Sequence, residues 1–421
     1  MSNAQVAQVV LGANYGDEGK GAITDYLVAR ECAKVVVRFN GGAQAGHTVQ
    51  TPDGKRHTFH HFSSGTFLGA RTFLSRHFVL NPMLYVKERA QLASFYCRRL
   101  IVDPRAYVTT PWDIIVNQAR ERAAGDNRLG SCGVGHRDTV DRNEFSEFGF
   151  TIVAAQENLT YDEGCLISKL EFIRGEWLPE RLDEYRVPYT RELQKLVFSD
   201  AIIENYLKDI KLFSLGISLM DTCDLTSLGS IVFEGSQGLG LDQKNGTIPH
   251  VTRSNTGIKN VLDICNEAGI KDLEVYYATR AYLTRHGQGP MENELKQKPY
   301  KGINEMTNVN NEFQGSFRYG NLDVDALRKR IKVDLRSASL SDIKISPKLA
   351  VTCIDHLDPI GRYIVNGKLK RADKGYFSEA IAKEVGLPFV LDSQGPTRDT
   401  VRERIALCRD KLAENPCLLF Q

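Results

Sequence analysis

Residues Val9–Asp25 read VVLGANYGDEGKGAITD: an apolar run, a glycine-rich turn and the start of a helix. Gly12, Gly16, Gly19 and Gly21 let a backbone turn tightly against a ligand, while Asp17, Glu18 and Lys20 put both charge signs into that turn. A nucleoside triphosphate is expected to sit there; a glycine turn kept for packing alone is the other reading. A Walker A loop, G-x-x-x-x-G-K-[ST], needs a hydroxyl after its Gly-Lys, and here Gly21 follows Lys20 instead.

Working outward, a strand is expected over Val6–Leu11, a helix over Gly21–Cys32 and a second buried strand over Ala33–Phe39. That β-α-β opening implies a parallel sheet. The stretch Asn40-Gly41-Gly42-Ala43-Gln44-Ala45-Gly46-His47-Thr48 then emerges at the same edge as the first turn, where ligands of open α/β sheets collect. His47 reads either as a structural loop histidine or as a working one. Hairpin strands on the rim are expected between Thr51 and Arg76, and helices over Leu80–Leu92 and Pro111–Ala123. The small-residue loop Leu129–Arg137 suits a phosphate or sugar contact or, equally, a mobile surface loop. From about Phe150 to Gly229 the pattern is charged and helical, longest over Leu193–Leu212, and reads as packing or subunit interface. Further strands are expected over Ser230–Glu234, Leu273–Tyr277, Lys348–Ile354 and Phe389–Leu391, so six sheet strands end in polar or glycine-rich loops.

The 421 residues suffice for a large core, read as one domain over 1–421 with a helical insertion at about 150–229. Apolar residues make up 42% and charged ones 25%, which excludes extended disorder. A formal net charge of +2 gives no global field toward nucleic acid or membrane, so neither is expected as a partner. The nine cysteines form no C-x-x-C pair, and neither a disulfide framework nor a zinc site is suggested; a reducing cytoplasm is the expected home. No apolar run approaches a membrane span, and no leader is recognisable at the start of the chain.

The ordered set Gly16-Asp17-Glu18-Gly19-Lys20-Gly21, Ala45-Gly46-His47-Thr48, Glu234-Gly235-Ser236-Gln237-Gly238, Val251-Thr252, Ser254-Asn255-Thr256 and Thr284-Arg285 resembles adenylosuccinate synthetase. Gly287, Gly289-Pro290, Asn311-Glu312-Phe313, Asp355 and Gly395-Pro396 complete the match. The resemblance implies an α/β fold of the P-loop-NTPase-like type, with a mostly parallel central sheet carrying helical and hairpin insertions, and a homodimer. It implies a ligase that condenses L-aspartate with IMP through a 6-phosphoryl intermediate, using Mg2+ and GTP or ATP.

By the same resemblance Asp17 is the general base for the purine N1 proton and a magnesium ligand, with the Gly46 carbonyl completing the shell. His47, Lys20 and Gln237 join it as catalytic residues, His47 donating to the β-phosphate. The triphosphate would meet Gly16, Glu18, Gly19, Lys20, Gly21, Gly46, His47 and Thr48, and its base Asp355, Ser393, Gly395 and Pro396. The purine monophosphate would meet Asp17, Gln44, Ser131, Cys132, Gln237 and Thr252. Arg142 is either the arginine that reaches the phosphate from a neighbouring subunit or a solvated surface charge.

Four departures from the family pattern bear on specificity. Gln44 stands for an asparagine, and Cys132 for a threonine. The aspartate loop is compressed to Asn311–Gly320, leaving Arg318, with Ser316 and Arg285, to hold the amino acid. The base-reading motif reads Thr352-Cys353-Ile354-Asp355, without its usual lysine, which opens GTP against ATP or dATP. The compressed loop resembles phage variants that take 2-aminopurine nucleotides, so dGMP or GMP is the alternative substrate, while the retained Asp17 ranks IMP first. A nucleotide-binding paralogue without turnover would have lost Asp17 or His47, and an ATPase of the dethiobiotin-synthetase kind would carry the Gly-Lys-Thr loop.

Overall fold

The computed structural model describes residues 6–95, 97–144, 151–154, 163–305, 315–387 and 389–405. The strands are β1 (Ala7–Gly12), β2 (Val35–Arg38), β3 (His47–Gln50), β4 (Arg56–Phe59), β5 (Arg71–Leu74), β6 (Leu100–Val102), β7 (Ile217–Leu219), β8 (Ile231–Gly238) and β9 (Asp272–Arg280). They continue as β10 (Leu283–Arg285), β11 (Glu294–Leu295), β12 (Arg318–Gly320), β13 (Leu322–Asp323), β14 (Lys344–Thr352), β15 (Ile360–Val365), β16 (Lys368–Asp373), β17 (Phe389–Ser393) and β18 (Val401–Ile405). The helices are α1 (Lys20–Arg30), α2 (Pro82–Gln91), α3 (Pro111–Ala124), α4 (His136–Glu144), α5 (Glu163–Phe172), α6 (Leu178–Glu184), α7 (Arg191–Val197), α8 (Asp200–Leu215), α9 (Lys259–Ala268), α10 (Val324–Arg336) and α11 (Phe377–Val385).

Ten strands form one sheet in the order β18-β17-β14-β9-β1-β8-β2-β5-β6-β7, parallel except for β18, which runs against β17. This is the α/β architecture expected. The alternation of β1 sets the two faces: Val9 and Leu11 pack with α9 and α10, while Val10 packs with Ile23, Leu27 and Val28 of α1. Being parallel, β1, β2, β8, β9 and β14 all end at one edge, and the polar loops after them meet there.

Several sequence-based expectations change in detail. The strand expected to stop at Glu234 continues to Gly238: β1 and β2 both pair it as far as Glu234, and past a register shift β1 pairs it again at Gly12 with Gly238. Of the stretch Thr51–Arg76 only β4 enters a hairpin, with β3 just ahead of it; β5 instead joins the central sheet beside β2. The expected helix over Leu193–Leu212 is two helices, α7 and α8, broken at Phe198-Ser199, and β7 follows them to end the sheet at β6. Asn311-Glu312-Phe313 lies outside the described residues. Among the described residues no helix is long and apolar enough to cross a membrane.

Candidate active site

The first turn is braced from inside. Glu18 is buried, and its Oε1 accepts from the backbone N–H groups of Asn14 (3.0 Å) and Gly16 (2.7 Å). Lys20 Nζ donates to Gly16 O (2.6 Å) and to Glu18 Oε2 (3.1 Å). Glu18 therefore holds the turn with its side chain, so that what it offers a phosphate is its backbone. Gly21 explains the failed Walker pattern: a Cβ there would lie 2.9 Å from Thr48 O and 3.3 Å from His47 Cβ. The first turn of α1 gives up a hydroxyl so that β3 can press against it and deliver His47.

His47 is buried, with Nδ1 2.8 Å from Glu234 Oε1 and Nε2 3.5 Å from Ser236 O. Glu234 also accepts from the Ser64 hydroxyl and, at 3.2 Å, from Ser64 N. Burial pushes the Glu234 carboxyl up, but His47, Arg38 and Ser64 outweigh it and hold it at about 2. The His47 imidazolium is disfavoured by burial against the pull of Glu234. A carboxylate fixed on Nδ1 orients the ring and leaves Nε2 as its working nitrogen.

Asp17, Gln44, Ser131, Cys132, Gln237 and Thr252 line one cavity of about 450 Å³. The structure thus brings together residues from five separate stretches of chain. Both amide atoms of Gln44 and the Oε1 of Gln237 are buried with no hydrogen-bond partner among the described residues. Unpaired buried amides next to a cavity fit a polar ligand that supplies the missing bonds. Gly41 adopts φ 65°, and a Cβ on it would lie 2.6 Å from Gln237 Oε1, so glycine is required there to seat the amide. Ser131 Oγ exchanges hydrogen bonds with Asn117 (3.1 and 3.3 Å), and burial pushes the Cys132 thiol up to about 12. Burial also raises the Asp17 carboxyl, opposed first by His286 and then by Arg280, whose Nε donates to Asp17 O. Asp355, exposed, and Ser393, buried, follow β14 and end β17 on the same sheet edge, outside this cavity.

The adenylosuccinate synthetase family model matches residues 9–360. The chain belongs to the adenylosuccinate synthetase family. It is 33% identical over 316 residues to the adenylosuccinate synthetase of Brevibacillus brevis, covering 71% of this chain and 67% of that one. It is 32% identical over 384 residues to the Stenotrophomonas maltophilia adenylosuccinate synthetase, covering 86% and 81%. Among solved structures, the fully ligated adenylosuccinate synthetase of Plasmodium falciparum superposes with a TM-score of 0.68 at 20% identity, over 94% of this chain and 99% of that one. The cyanophage S-2L succinoaminodeoxyadenylate synthetase bound to dGMP and dATP gives 0.61 at 15% identity, over 99% of each. These two share the fold. As a family member, the chain is a carbon–nitrogen bond-forming ligase of purine biosynthesis.

Against the roles that the family pattern suggested, two arginines sit differently. Arg142 is fully buried: Nε and Nη2 donate to the two Asp113 oxygens (2.8 and 2.9 Å), and Nη2 also donates to Val108 O (2.8 Å). It ties α4 to α3 and is not a solvated surface charge. Arg318 donates through Nε and Nη2 to Glu294 (2.7 and 2.5 Å) and through Nη1 to Gly287 O (3.0 Å) and Gly289 O (2.8 Å). Its guanidinium is taken up by Glu294 and by the loop carbonyls. Arg285 lines the cavity, lies 4.5 Å from the Tyr15 ring centre, and keeps a buried Nε without a partner. Ser316 is exposed. The sequence reading missed His60, whose Nδ1 faces Ala43 O (3.0 Å) and Ala45 O (3.1 Å) on either side of Gln44, and His286. Only the position of His286 between Arg285 and Gly287, inside a quoted motif, could have drawn notice to it.

Proposed function

We propose that the protein condenses L-aspartate with IMP to give adenylosuccinate, a nucleoside diphosphate and phosphate, by way of a 6-phosphoryl intermediate. The observation that carries this reading is the placement of Asp17: one residue serves both the phosphate turn and the cavity lined by Gln44 and Gln237. A 6-oxo group leaves poorly, so the oxygen must first be phosphorylated, and that requires removal of the N1 proton. Asp17 takes that proton. His47, its Nδ1–H held by Glu234, donates from a protonated Nε2 to the β-phosphate as charge grows there, the phosphate charge offsetting the burial that disfavours the imidazolium, and Lys20 with the turn amides neutralises phosphate oxygens. Gln237 and Gln44 orient the base, and the Ser131–Cys132 loop receives the 5′-phosphate. Arg285, with its unpaired Nε, takes an aspartate carboxylate.

The donor set suits magnesium. Asp17 gives a carboxylate and Gly46, an exposed residue, a backbone carbonyl, both hard oxygen donors, and magnesium normally takes the rest of its shell from phosphate and water. Among the described residues no cluster of three or more His, Cys, Asp or Glu competes for a metal. When bound, the ion would neutralise charge on the phosphate oxygens. The phosphoryl donor is GTP or ATP, with Asp355, Ser393, Gly395 and Pro396 around its base. The protein acts in the cytoplasm as a homodimer.

The same reaction on dGMP or GMP is the second reading. It is favoured by the Arg318 geometry, which leaves a compressed loop without a free arginine, and by the fold shared with a protein that binds dGMP and dATP. Incubation with magnesium, aspartate and each pairing of IMP, GMP or dGMP with GTP, ATP or dATP, followed by ultraviolet absorbance of the succinyl product, tests both. No product from any pairing removes the ligase reading.

A further inference from the structure

The wall of the cavity holds more cations than its carboxylates answer. Among the described residues that line it, Asp17 is the only acid, against four arginines. Arg120 lies 3.7 Å from both Glu121 and Asp138, and Arg253 lies 2.9 Å from both Asp141 and Glu144. Arg285 donates to the carbonyls of Pro290 and His250, and the reading above gives its Nε to aspartate. Arg137 is left. Its Nη2 donates to Val251 O (3.1 Å), beside Thr252, and no carboxylate among the described residues pairs with it.

Arg137 is the second residue of α4, where the first N–H groups of a helix have no acceptor within it and carry partial positive charge. The residue before it adds a second unanswered group. Both ring nitrogens of His136 are buried with no hydrogen-bond partner among the described residues, and His136 lines the same cavity. Native structures keep few such atoms unless a ligand uses them. Burial, with Arg137 beside it, pushes the imidazole down to about 4, so at neutral pH the ring is uncharged and has one N–H to give. The loop that leads into α4 is already fixed by α3: Gly135 N donates to Asn117 Oδ1 (3.3 Å) and Gln118 Nε2 to Gly133 O (3.0 Å). The one acid in the first turn, Asp138, is answered by Arg120, Arg181 and Tyr185.

We propose that Arg137 and His136, with the free N–H groups at the start of α4, form a seat for a phosphomonoester dianion and hold the 5′-phosphate of the purine nucleotide from within a single chain. That this phosphate belongs to the purine nucleotide rests on the reading above, in which the Ser131–Cys132 loop receives it; the anion seat itself does not. Val251 O fixes one end of the Arg137 guanidinium and leaves its other N–H groups to the phosphate oxygens. His136 adds a neutral donor, so one arginine meets the dianion without a second buried cation to repel it.

The test is the Kd of IMP and of inosine, by calorimetry, for the full-length wild type, Arg137→Met and Arg137→Lys. Arg137→Met is expected to bind IMP about 10- to 100-fold more weakly, the size of one charged hydrogen-bonded contact, with inosine unchanged. Arg137→Lys, which keeps the charge, should recover part of the loss. An equal loss on IMP and inosine overturns the assignment, because Arg137 would then only shape the wall through Val251. So does unchanged IMP binding, or a wild type that binds IMP no more tightly than inosine. If the wild type binds neither, the ligase reading fails, and ribose 5-phosphate against ribose decides the seat alone: binding of the phosphate that Arg137→Met abolishes supports it, and no binding overturns it.

Discussion

His47 Nδ1 lies 2.8 Å from Glu234 Oε1, and both groups are buried. Glu234→Gln removes the charge that orients the ring. A fall in kcat of about 10²-fold or more is expected, typical of losing one preorganised donor, with a smaller change in the KM for the purine nucleotide. Steady-state kinetics with both substrates varied checks this; an unchanged kcat would mean that the pair is structural only.

The same carboxylate makes stability depend on acid. Its pKa is about 2 in the folded chain against an ordinary 4.5, so the unfolded state binds its proton first. The stabilisation is present above about pH 4.5 and is lost as pH falls toward 2. Melting temperatures of wild type and Glu234→Gln should differ at neutral pH and converge across that acid window.

Restoring the Walker hydroxyl should harm the protein. Gly21→Thr places a Cβ 2.9 Å from Thr48 O, so β3 must move or α1 must bend, at about 1–3 kcal/mol. Turnover should fall because His47 moves with β3. A chemical denaturation midpoint and kcat, measured together, decide it; a variant as active as wild type would show that the close packing is not needed.

Arg142→Met leaves the Asp113 carboxylate buried without its partner. Breaking such a pair costs about 3–5 kcal/mol, which urea denaturation will register. At a temperature where the variant is folded, its KM for the purine monophosphate should be close to wild type. A large rise in that KM would return Arg142 to the substrate.

Asp17→Asn should abolish turnover, while calorimetry shows the purine nucleotide still bound, because Gln44 and Gln237 remain. An active Asp17→Asn variant would remove the general-base role.

Much of the scaffold is legible locally. The β1, α1 and β2 sequence carries its own apolar runs and its glycine turn, and the Thr110–Asp113 capping box marks the start of α3 within a few residues. What the sequence hides is side-chain partnership across distance. Arg142 looks like any helix-surface charge until α4 packs on α3 and Asp113 comes within 2.8 Å. Arg318 looks like a free cation until β12 pairs with β11 and puts Glu294 beside it. His286 hides between two recognisable motif residues, and Glu234, quoted as part of a motif, shows its link to His47 only when β8 and β3 are seen in three dimensions. The cavity residues were readable as types, since amides and a carboxylate in glycine loops suit nucleotides, but not as neighbours.

The extra length of β8 has a mechanical consequence. Glu234 and Gln237 stand three residues apart on a single strand. Glu234 steers the group that serves the phosphate chain, and Gln237 faces the base. β1 and β2 hold that strand from both sides at Glu234 and β1 pairs it again at Gly238, so Gln237 lies between two pinned points and the strand acts as a ruler for the gap that a phosphoryl group has to cross. Neither half of the site can drift without dragging the other.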